Sequence, residues 1–150
     1  MTTQFVLVAT AIIIKDNKFL ITKRSENEKH YGGMWTVPGG KLDRDDYLLI
    51  KKNSANLHYN VLENTIKREV LEEVNLEIKD IDYVTSIVFE REGNIPTMII
   101  SLSCKYKSGE VRLDKDSVDY KWVTIEEAKN YALIDGIYDE LVICARKVGI

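Results

Sequence analysis

Apolar and polar residues alternate along this chain in a pattern that predicts both strands and helices. Residues 5–14 are apolar and rich in β-branched side chains, a polar stretch with Asp16 and Asn17 follows, and residues 19–22 are apolar again. Since β-branched residues suit strands and Asp and Asn suit turns, this pattern predicts a β-hairpin. Similar runs predict strands at residues 34–37, 81–89, 97–106 and 120–123.

Helices are predicted where apolar residues recur at helical spacing. Leu62, Ile66, Val70 and Val74 repeat every four residues and predict one buried stripe. Asn60, with a Glu three positions later, resembles a capping box, so we expect the helix to begin there and to end near residue 76. Two further helices are predicted at residues 125–131, capped by Thr124 with Glu127, and at residues 137–148.

These elements predict one α/β domain over residues 1–150 with a mixed central sheet. The chain has 45% hydrophobic and 30% charged residues, which is typical of a globular protein. A net charge of −3 gives no basic excess, so we expect no nucleic-acid partner. The apolar run at residues 5–14 is too short to span a bilayer and lacks the features of a secretory signal, so we expect no membrane partner. Cys104 and Cys144 lie in apolar surroundings and are predicted to be buried free thiols, which favours a cytoplasmic location.

The most informative segment is an acidic cluster on the predicted central helix. Glu69, Glu72 and Glu73 lie within five residues, and like charges at this spacing destabilise a helix. A hard divalent cation would compensate, because it prefers several carboxylate oxygens held close together. The alternative is a solvated acidic face with an ordinary Arg68–Glu72 ion pair.

The context of this cluster carries a family resemblance. The sequence Val-Pro-Gly-Gly-Lys at residues 37–41, followed by Arg-Glu-Val at 68–70 and Glu-Glu at 72–73, resembles the Nudix box of MutT-type hydrolases. The segment at residues 120–128 is also typical of that family. The resemblance implies an α/β/α sandwich with a mixed sheet, and a hydrolase that uses Mg²⁺ or Mn²⁺.

The resemblance also implies roles for individual residues. Glu69, Glu72 and Glu73 would be metal ligands, together with the carbonyl of Gly39. Arg68 would orient a glutamate, because arginine forms directional pairs with carboxylates.

The chain departs from the family motif in three ways. Gly40 and Arg68 are 28 positions apart, twice the family interval, so an insertion is predicted at about residues 44–59. The first Glu of the box falls on Asp46 when counted forward and on Asn60 when counted backward, so that position is assigned to neither. Asn75 replaces the final Gly, and Asn is the next-best residue for a left-handed helix end.

Five other positions are candidates, four of them by resemblance to the family and Trp35 from its aromatic ring, and each has a plain structural alternative. Asp116, in a loop with two other acids, is a metal ligand or base, or else a solvated acid. Arg24 and Lys23 contact substrate phosphates, or else are solvated charges at a strand end. Trp35 stacks on a base, although core packing is favoured for it.

Asp139 falls where MutT-type enzymes read the base edge. The favoured alternative is an acid placed well at a helix N-terminus.

The predicted reaction is Mg²⁺-dependent cleavage of a pyrophosphate bond in a small-molecule nucleotide, a nucleoside triphosphate giving a nucleoside monophosphate and pyrophosphate. The alternatives are hydrolysis of ADP-ribose or another nucleotide sugar, and a non-catalytic module that senses a nucleotide. An apolar patch at residues 47–50, inside the predicted insertion, is interpreted either as a homodimer contact or as a lid over the site.

Overall fold

The computed structural model describes residues 1–48 and 57–150 of the chain. Within these ranges the strands are β1 Val6–Lys15, β2 Lys18–Arg24, β3 Trp35–Thr36, β4 Gly39–Lys41, β5 Glu77–Arg91, β6 Ile95–Ser108 and β7 Ser117–Val123. The helices are α1 Asp45–Leu48, α2 Val61–Val74, α3 Ile125–Ala128 and α4 Ile137–Val148.

The described strands form one mixed sheet. Its order is β3-β2-β1-β6-β5, with β4 paired to β1 and β7 paired to β2. The β1–β6 pair is parallel and the other pairs are antiparallel. The predicted mixed sheet is therefore confirmed.

Helices cover both faces of this sheet because its central strands are apolar on both sides. Side chains on a strand point alternately to opposite faces. Ile12 packs into one core cluster with Leu141 and Cys144 of α4. Ile13 packs into a second cluster with Ile66 and Val70 of α2. The three-layer arrangement expected for an α/β/α sandwich is thus present.

The central helix α2 has the predicted buried stripe but different ends. Asn60 has φ 58° and makes no side-chain cap hydrogen bond, so the predicted capping box is wrong. A left-handed residue does not present its side chain to the first N–H groups as an extended N-cap does. The helix ends at Val74, not at residue 76, and Asn75 follows it with φ 61°. The left-handed helix end expected at Asn75 is confirmed.

The C-terminal elements follow the sequence closely. Thr124 accepts a hydrogen bond from the N–H of Glu127, whose side chain bonds back to the N–H of Thr124, so this capping box is confirmed. Helix α4 begins and ends as predicted, whereas α3 is shorter than predicted. Cys104 and Cys144 are both free and buried.

The predicted insertion lies only partly in the described ranges. Residues 45–48 form α1, in which the ring of Tyr47 meets His58 edge-on with centroids 5.4 Å apart. Residues 49–56, including half of the predicted apolar patch, lie outside the described residues, so the homodimer and lid interpretations remain predictions. No helix in the described part of the chain is long and apolar enough to cross a membrane.

Candidate active site

The candidate site is a cavity of about 330 Å³ where β1 changes partners. Residues 8–10 of β1 pair with β4, whereas Ile14 and Lys15 pair with β2. The strands beside β1 therefore part midway along it, and side chains from several elements reach the gap. The lining includes Thr10, Arg24, Gly39, Gly40, Lys41, Glu73, Arg91, Asp114 and Asp116.

Two glycines let the helix carboxylates approach the sheet. The N–H of Gly39 donates a hydrogen bond to Oε2 of Glu73 at 3.2 Å. A Cβ on Gly40 would lie 2.3 Å from the carboxyl of Glu69, and one on Gly39 would lie 2.5 Å from the carbonyl oxygen of Ala9. Any larger residue would displace either the carboxylate or the strand.

Arg68 holds the acidic cluster from one side. Its Nη1 lies 2.9 Å from Oε1 of Glu69 and 3.0 Å from Oε2 of Glu72. Its Nε and Nη2 donate to the two carboxylate oxygens of Asp46. The hydrogen bond to Asp46 and the charges of the three carboxylates raise the pKa of Arg68, so the guanidinium stays charged.

Asp46 lies where the forward count from Gly40 places the first acid of the box. Its side chain is only 1% exposed. Burial alone would raise its pKa, but the hydrogen bonds from Arg68 and from the N–H of Asp43 outweigh that effect and lower it. Asp46 is therefore an ionised partner that fixes Arg68.

Glu73 has the most perturbed carboxyl of the cluster. Burial raises its pKa to about 8 against the opposing hydrogen bond from Gly39, and the nearby charges of Glu69 and Asp114 add to the increase. The carboxylates repel one another where little water screens them.

The carboxylates of this site are candidate ligands for a metal ion. Among the described residues, no group of three or more His, Cys, Asp or Glu side chains is already placed to hold a metal ion. Glu72 is 58% exposed and turns to Arg68. The donor type nevertheless fits a hard divalent cation, because burial and the neighbouring carboxylates together raise the pKa of Glu73, and a bound cation would favour its ionised form. Glu69, Glu73 and the main chain of Gly39 are the groups best placed to provide oxygen ligands.

The acidic loop before β7 reaches the cavity that the two glycines line. Asp116 lines the cavity, and its N–H donates to Oδ1 of Asp114 at 3.0 Å. The N–H of Asp114 donates to the carbonyl of Glu73, also at 3.0 Å, which ties this loop to the end of α2. The loop thus brings Asp114 and Asp116 to the same cavity as Glu73.

The other predicted substrate contacts are distributed differently. Arg24 lines the cavity, but its guanidinium bonds to Glu28 and to the carbonyl of His30. Lys23 and Asp139 are not among the lining residues. Trp35 is 8% exposed and packs edge-on against Tyr131, in the core position that the sequence favoured.

Sequence reasoning assigned no role to three residues of this region. Thr10 and Arg91 line the cavity, and Asp46 supports it through Arg68. The forward count had already pointed to Asp46. No local pattern marked Thr10 or Arg91, because strand order alone brings them to the cavity.

Comparisons with known proteins agree with this geometry. The NUDIX domain model matches residues 5–141. The chain is 25% identical over 117 residues to the NAD-capped RNA hydrolase NudC of Erwinia tasmaniensis, a match that covers 77% of this chain and 38% of that relative. The chain therefore spans well under half the length of that curated relative.

Solved structures show the same fold. The MutT protein from Methanosarcina mazei Go1 superposes with a TM-score of 0.73 at 23% identity, covering 100% of this chain and 99% of that one. The NUDIX domain of Shewanella oneidensis NrtR, in complex with ADP ribose, gives 0.71 at 15% identity, covering 99% and 90%. With a domain match over most of its length, this chain belongs to the NUDIX domain family.

Proposed function

We propose that this chain is a Mg²⁺-dependent hydrolase that cleaves a pyrophosphate bond in a nucleoside triphosphate, releasing a nucleoside monophosphate and pyrophosphate. One observation carries the proposal. Beside one cavity, Glu73 accepts a hydrogen bond from Gly39, and the carboxyl of Glu69 packs closely against Gly40. Acidic residues of a second loop, Asp114 and Asp116, line the same cavity.

Each part of the site has a task in this proposal. When bound, Mg²⁺ neutralises the diphosphate and activates a water molecule. Glu69 and Glu73 would hold the ion, with the main chain of Gly39. Arg68 keeps Glu69 and Glu72 in place by its ion pairs. Since Glu72 is exposed, it can turn from Arg68 towards the cavity without leaving a buried charge unpaired.

Asp116 is proposed as a further ligand or general base. Asp116 lines the cavity, whereas Asp119 of β7 does not. Oδ1 of Asp119 instead lies 3.7 Å from Nζ of Lys121. Replacing Asp116 by Asn should lower the turnover rate by well over tenfold. Asp119→Asn is the matched control and should leave it nearly unchanged. Near-normal turnover of the Asp116 variant would exclude either role.

The test of the reaction is a substrate panel. The chain is incubated with Mg²⁺ and nucleoside triphosphates, ADP-ribose, NADH or dinucleoside polyphosphates, and the products are identified. Nucleoside monophosphate and pyrophosphate from a triphosphate support the proposal. Preferred cleavage of ADP-ribose or NADH would replace its substrate.

Two variants connect the activity to the site. Glu73→Gln should lose about a hundredfold or more in turnover, as a chelator should also cause. Glu63→Gln, on the same helix but away from the cavity lining, should behave like wild type. No cleavage of any substrate, or a Glu73→Gln variant as active as wild type, would overturn the enzymatic proposal.

A further inference from the structure

The β5–β6 hairpin brings one face of β5 to the cavity. Val8 pairs with Ile99 of β6, which pairs with Ile87 of β5. The next row along the same face holds Thr97 and Phe89, which pair with each other. Because side chains alternate along a strand, Phe89 and Arg91 share the face on which Val8 lines the cavity.

Arg91 lines this cavity from β5. It makes no ion pair with any residue in the described ranges, whereas Arg24 bonds to Glu28 and to a carbonyl. Asp116 comes from the chain segment beside β2, while β5 is at the opposite edge of the sheet. Arg91 therefore lies on the other side of β1 from the acidic loop.

Phe89 stands next to this arginine and is open to solvent. The residue is 39% exposed, and the guanidinium carbon of Arg91 lies 5.8 Å from the centroid of its ring. An exposed aromatic ring costs hydration free energy unless a partner covers it. A flat ring and a planar guanidinium side by side are suited to stack against a third flat group.

A buried hydroxyl beside Phe89 also lacks a partner. Thr97 is 0% exposed, and its Oγ1 has no hydrogen-bond partner among the residues that the structure describes. Buried polar groups are nearly always hydrogen-bonded, so an unpaired one indicates a missing polar partner. This observation is independent of the aromatic ring and the cation.

We infer that Phe89 and Arg91 form the subsite for the base of the nucleotide, a planar group with hydrogen-bond acceptors on its edge. Phe89 stacks on the base, and Arg91 donates to its acceptor edge. The acidic end of the cavity, with Glu73 and Asp116, is left for the diphosphate. The inference rests on the proposed function only in taking a nucleotide as the ligand.

The assignment differs from the two residues that the sequence suggested for the base. Trp35 is in the core. Asp139 and Phe89 are both outside the set of residues that line the cavity, but Phe89 lies beside Arg91, which does line it. Phosphate binding alone would not explain Phe89, because a phosphate gains nothing from an aromatic face. The combination of ring and guanidinium therefore favours a base over a further phosphate.

The test is a binding measurement that needs no turnover. The full chain with Mg²⁺ is titrated calorimetrically with the α,β-methylene analogues of ATP, GTP, CTP and UTP, and separately with inorganic tripolyphosphate. Phe89→Ala and Arg91→Gln should each weaken the best-bound analogue at least about fivefold, the low end for base–aromatic stacking. Both variants should bind tripolyphosphate within about twofold of wild type.

Matched controls come from the same surface. Val88 is the neighbour of Phe89 on the opposite face and is also exposed, so Val88→Ala controls for damage to the hairpin. Arg112 is exposed and outside the cavity lining, so Arg112→Gln controls for loss of one positive charge. Both controls should bind every ligand as wild type does.

Three results would overturn the inference. One is an Arg91→Gln variant that loses tripolyphosphate affinity as much as nucleotide affinity, since Arg91 would then bind phosphate. Another is a Phe89→Ala variant with unchanged nucleotide affinity. The third is a wild-type chain that binds nucleotide no better than tripolyphosphate.

Failure of the proposed reaction can be told apart from these results. If the chain binds the analogues with the expected pattern but cleaves nothing, the base subsite is supported and the enzymatic proposal is wrong. A chain that cleaves triphosphates while both variants bind them normally keeps the reaction and loses the subsite.

Discussion

Arg68 and Asp46 are joined at two points although 22 residues separate them in the chain. Asp46 lies in α1, within the predicted insertion, and Arg68 lies in the middle of α2. A fork of two N–H groups on two carboxylate oxygens fixes the guanidinium in direction as well as in position. The pair with Asp46 therefore positions the guanidinium of Arg68 for its ion pairs with Glu69 and Glu72.

Removing this support should cost both stability and activity. Asp46→Asn leaves the guanidinium without its ionised partner, and we expect the free energy of unfolding to fall by about 1–3 kcal/mol. Turnover should fall because Arg68 is then free to reorient away from the glutamates. Urea unfolding and the cleavage assay measure the two effects. The exposed neighbour Asp45 supplies the control, Asp45→Asn, and equal behaviour of the two variants would contradict the assigned role.

The two glycines of the site should respond differently to alanine. At Gly40 the new Cβ meets the carboxyl of Glu69, the end of a side chain that can shift, so we expect less than about 1 kcal/mol of destabilisation. At Gly39 it meets the carbonyl of Ala9 and Cα of Thr10, which belong to a central strand, so we expect about 1–3 kcal/mol.

Activity separates the glycine variants further. Gly40→Ala should lose at least about tenfold in turnover while nearly keeping its melting temperature, because the displaced carboxylate is one of the proposed ligands. Gly39→Ala should lose both. Thermal unfolding measures the stability of each variant, and the cleavage assay measures its turnover. A fully active Gly40→Ala variant would show that the position of Glu69 is unimportant for turnover.

Local sequence patterns predicted the elements better than their ends. The bounds of α4 and the capping box at Thr124 came from residues within a few positions of each other. The capping box at Asn60 failed because the motif is also compatible with a left-handed residue, and Asn tolerates that conformation. Whether Asn60 caps the helix or adopts the left-handed conformation depends on the path of the chain before it.

In the candidate site too, residues that are close in sequence were predicted, and residues that only the fold brings together were not. The acidic cluster and the glycines were visible because the family motif keeps them close in sequence. The ion pair of Asp46 with Arg68 depends on how α1 folds back on α2, and Arg91 reaches the cavity only because β6 and β5 lie beside β1. Because Asp46 lies inside the predicted insertion, a deletion of residues 44–59 would also remove the partner of Arg68.

Asn75 offers a direct measure of the left-handed helix end. It has φ 61°, its N–H bonds to the carbonyl of Leu71, and its Nδ2 donates to the carbonyl of Glu110 at 3.1 Å. Asn75→Ala should lower the free energy of unfolding by about 1–2 kcal/mol, since alanine resists this conformation and loses the side-chain bond. Asn75→Gly should stay within about 0.5 kcal/mol of wild type, because relief of strain offsets that bond.

Urea unfolding of both Asn75 variants is the measurement. The difference between alanine and glycine isolates the backbone conformation, because both lack the amide that reaches Glu110. If the two variants are equally stable, the left-handed conformation at residue 75 is not what limits this helix end.

Glu140 should make stability depend on pH. It is buried at the start of α4, where the hydroxyl of Ser101 donates to its carboxylate, and Thr10 in turn donates to Ser101. Burial raises the pKa of Glu140, the bond from Ser101 opposes this, and the charge of Asp139 adds to the increase. Above the ordinary pKa the folded state then holds a proton that the unfolded state has lost.

The direction of the effect follows from this difference in bound protons. The stability that Glu140 provides is complete below its ordinary pKa of 4.5 and is lost as pH rises through its higher pKa in the folded chain. Glu140→Gln stays neutral and can still accept from Ser101. We therefore expect the variant to be more stable than wild type at pH 8, and the two proteins to converge as pH falls towards 4.5.

Urea unfolding across this pH range, with a chelator present, measures the difference between the two proteins. The titration of Glu73 contributes equally to both and cancels in that difference. Asp139→Asn, which removes the exposed neighbouring carboxylate, should change the pH dependence far less. A difference between Glu140→Gln and wild type that stays constant with pH would mean that Glu140 has the same pKa in the folded and the unfolded chain, so that burial does not govern its protonation.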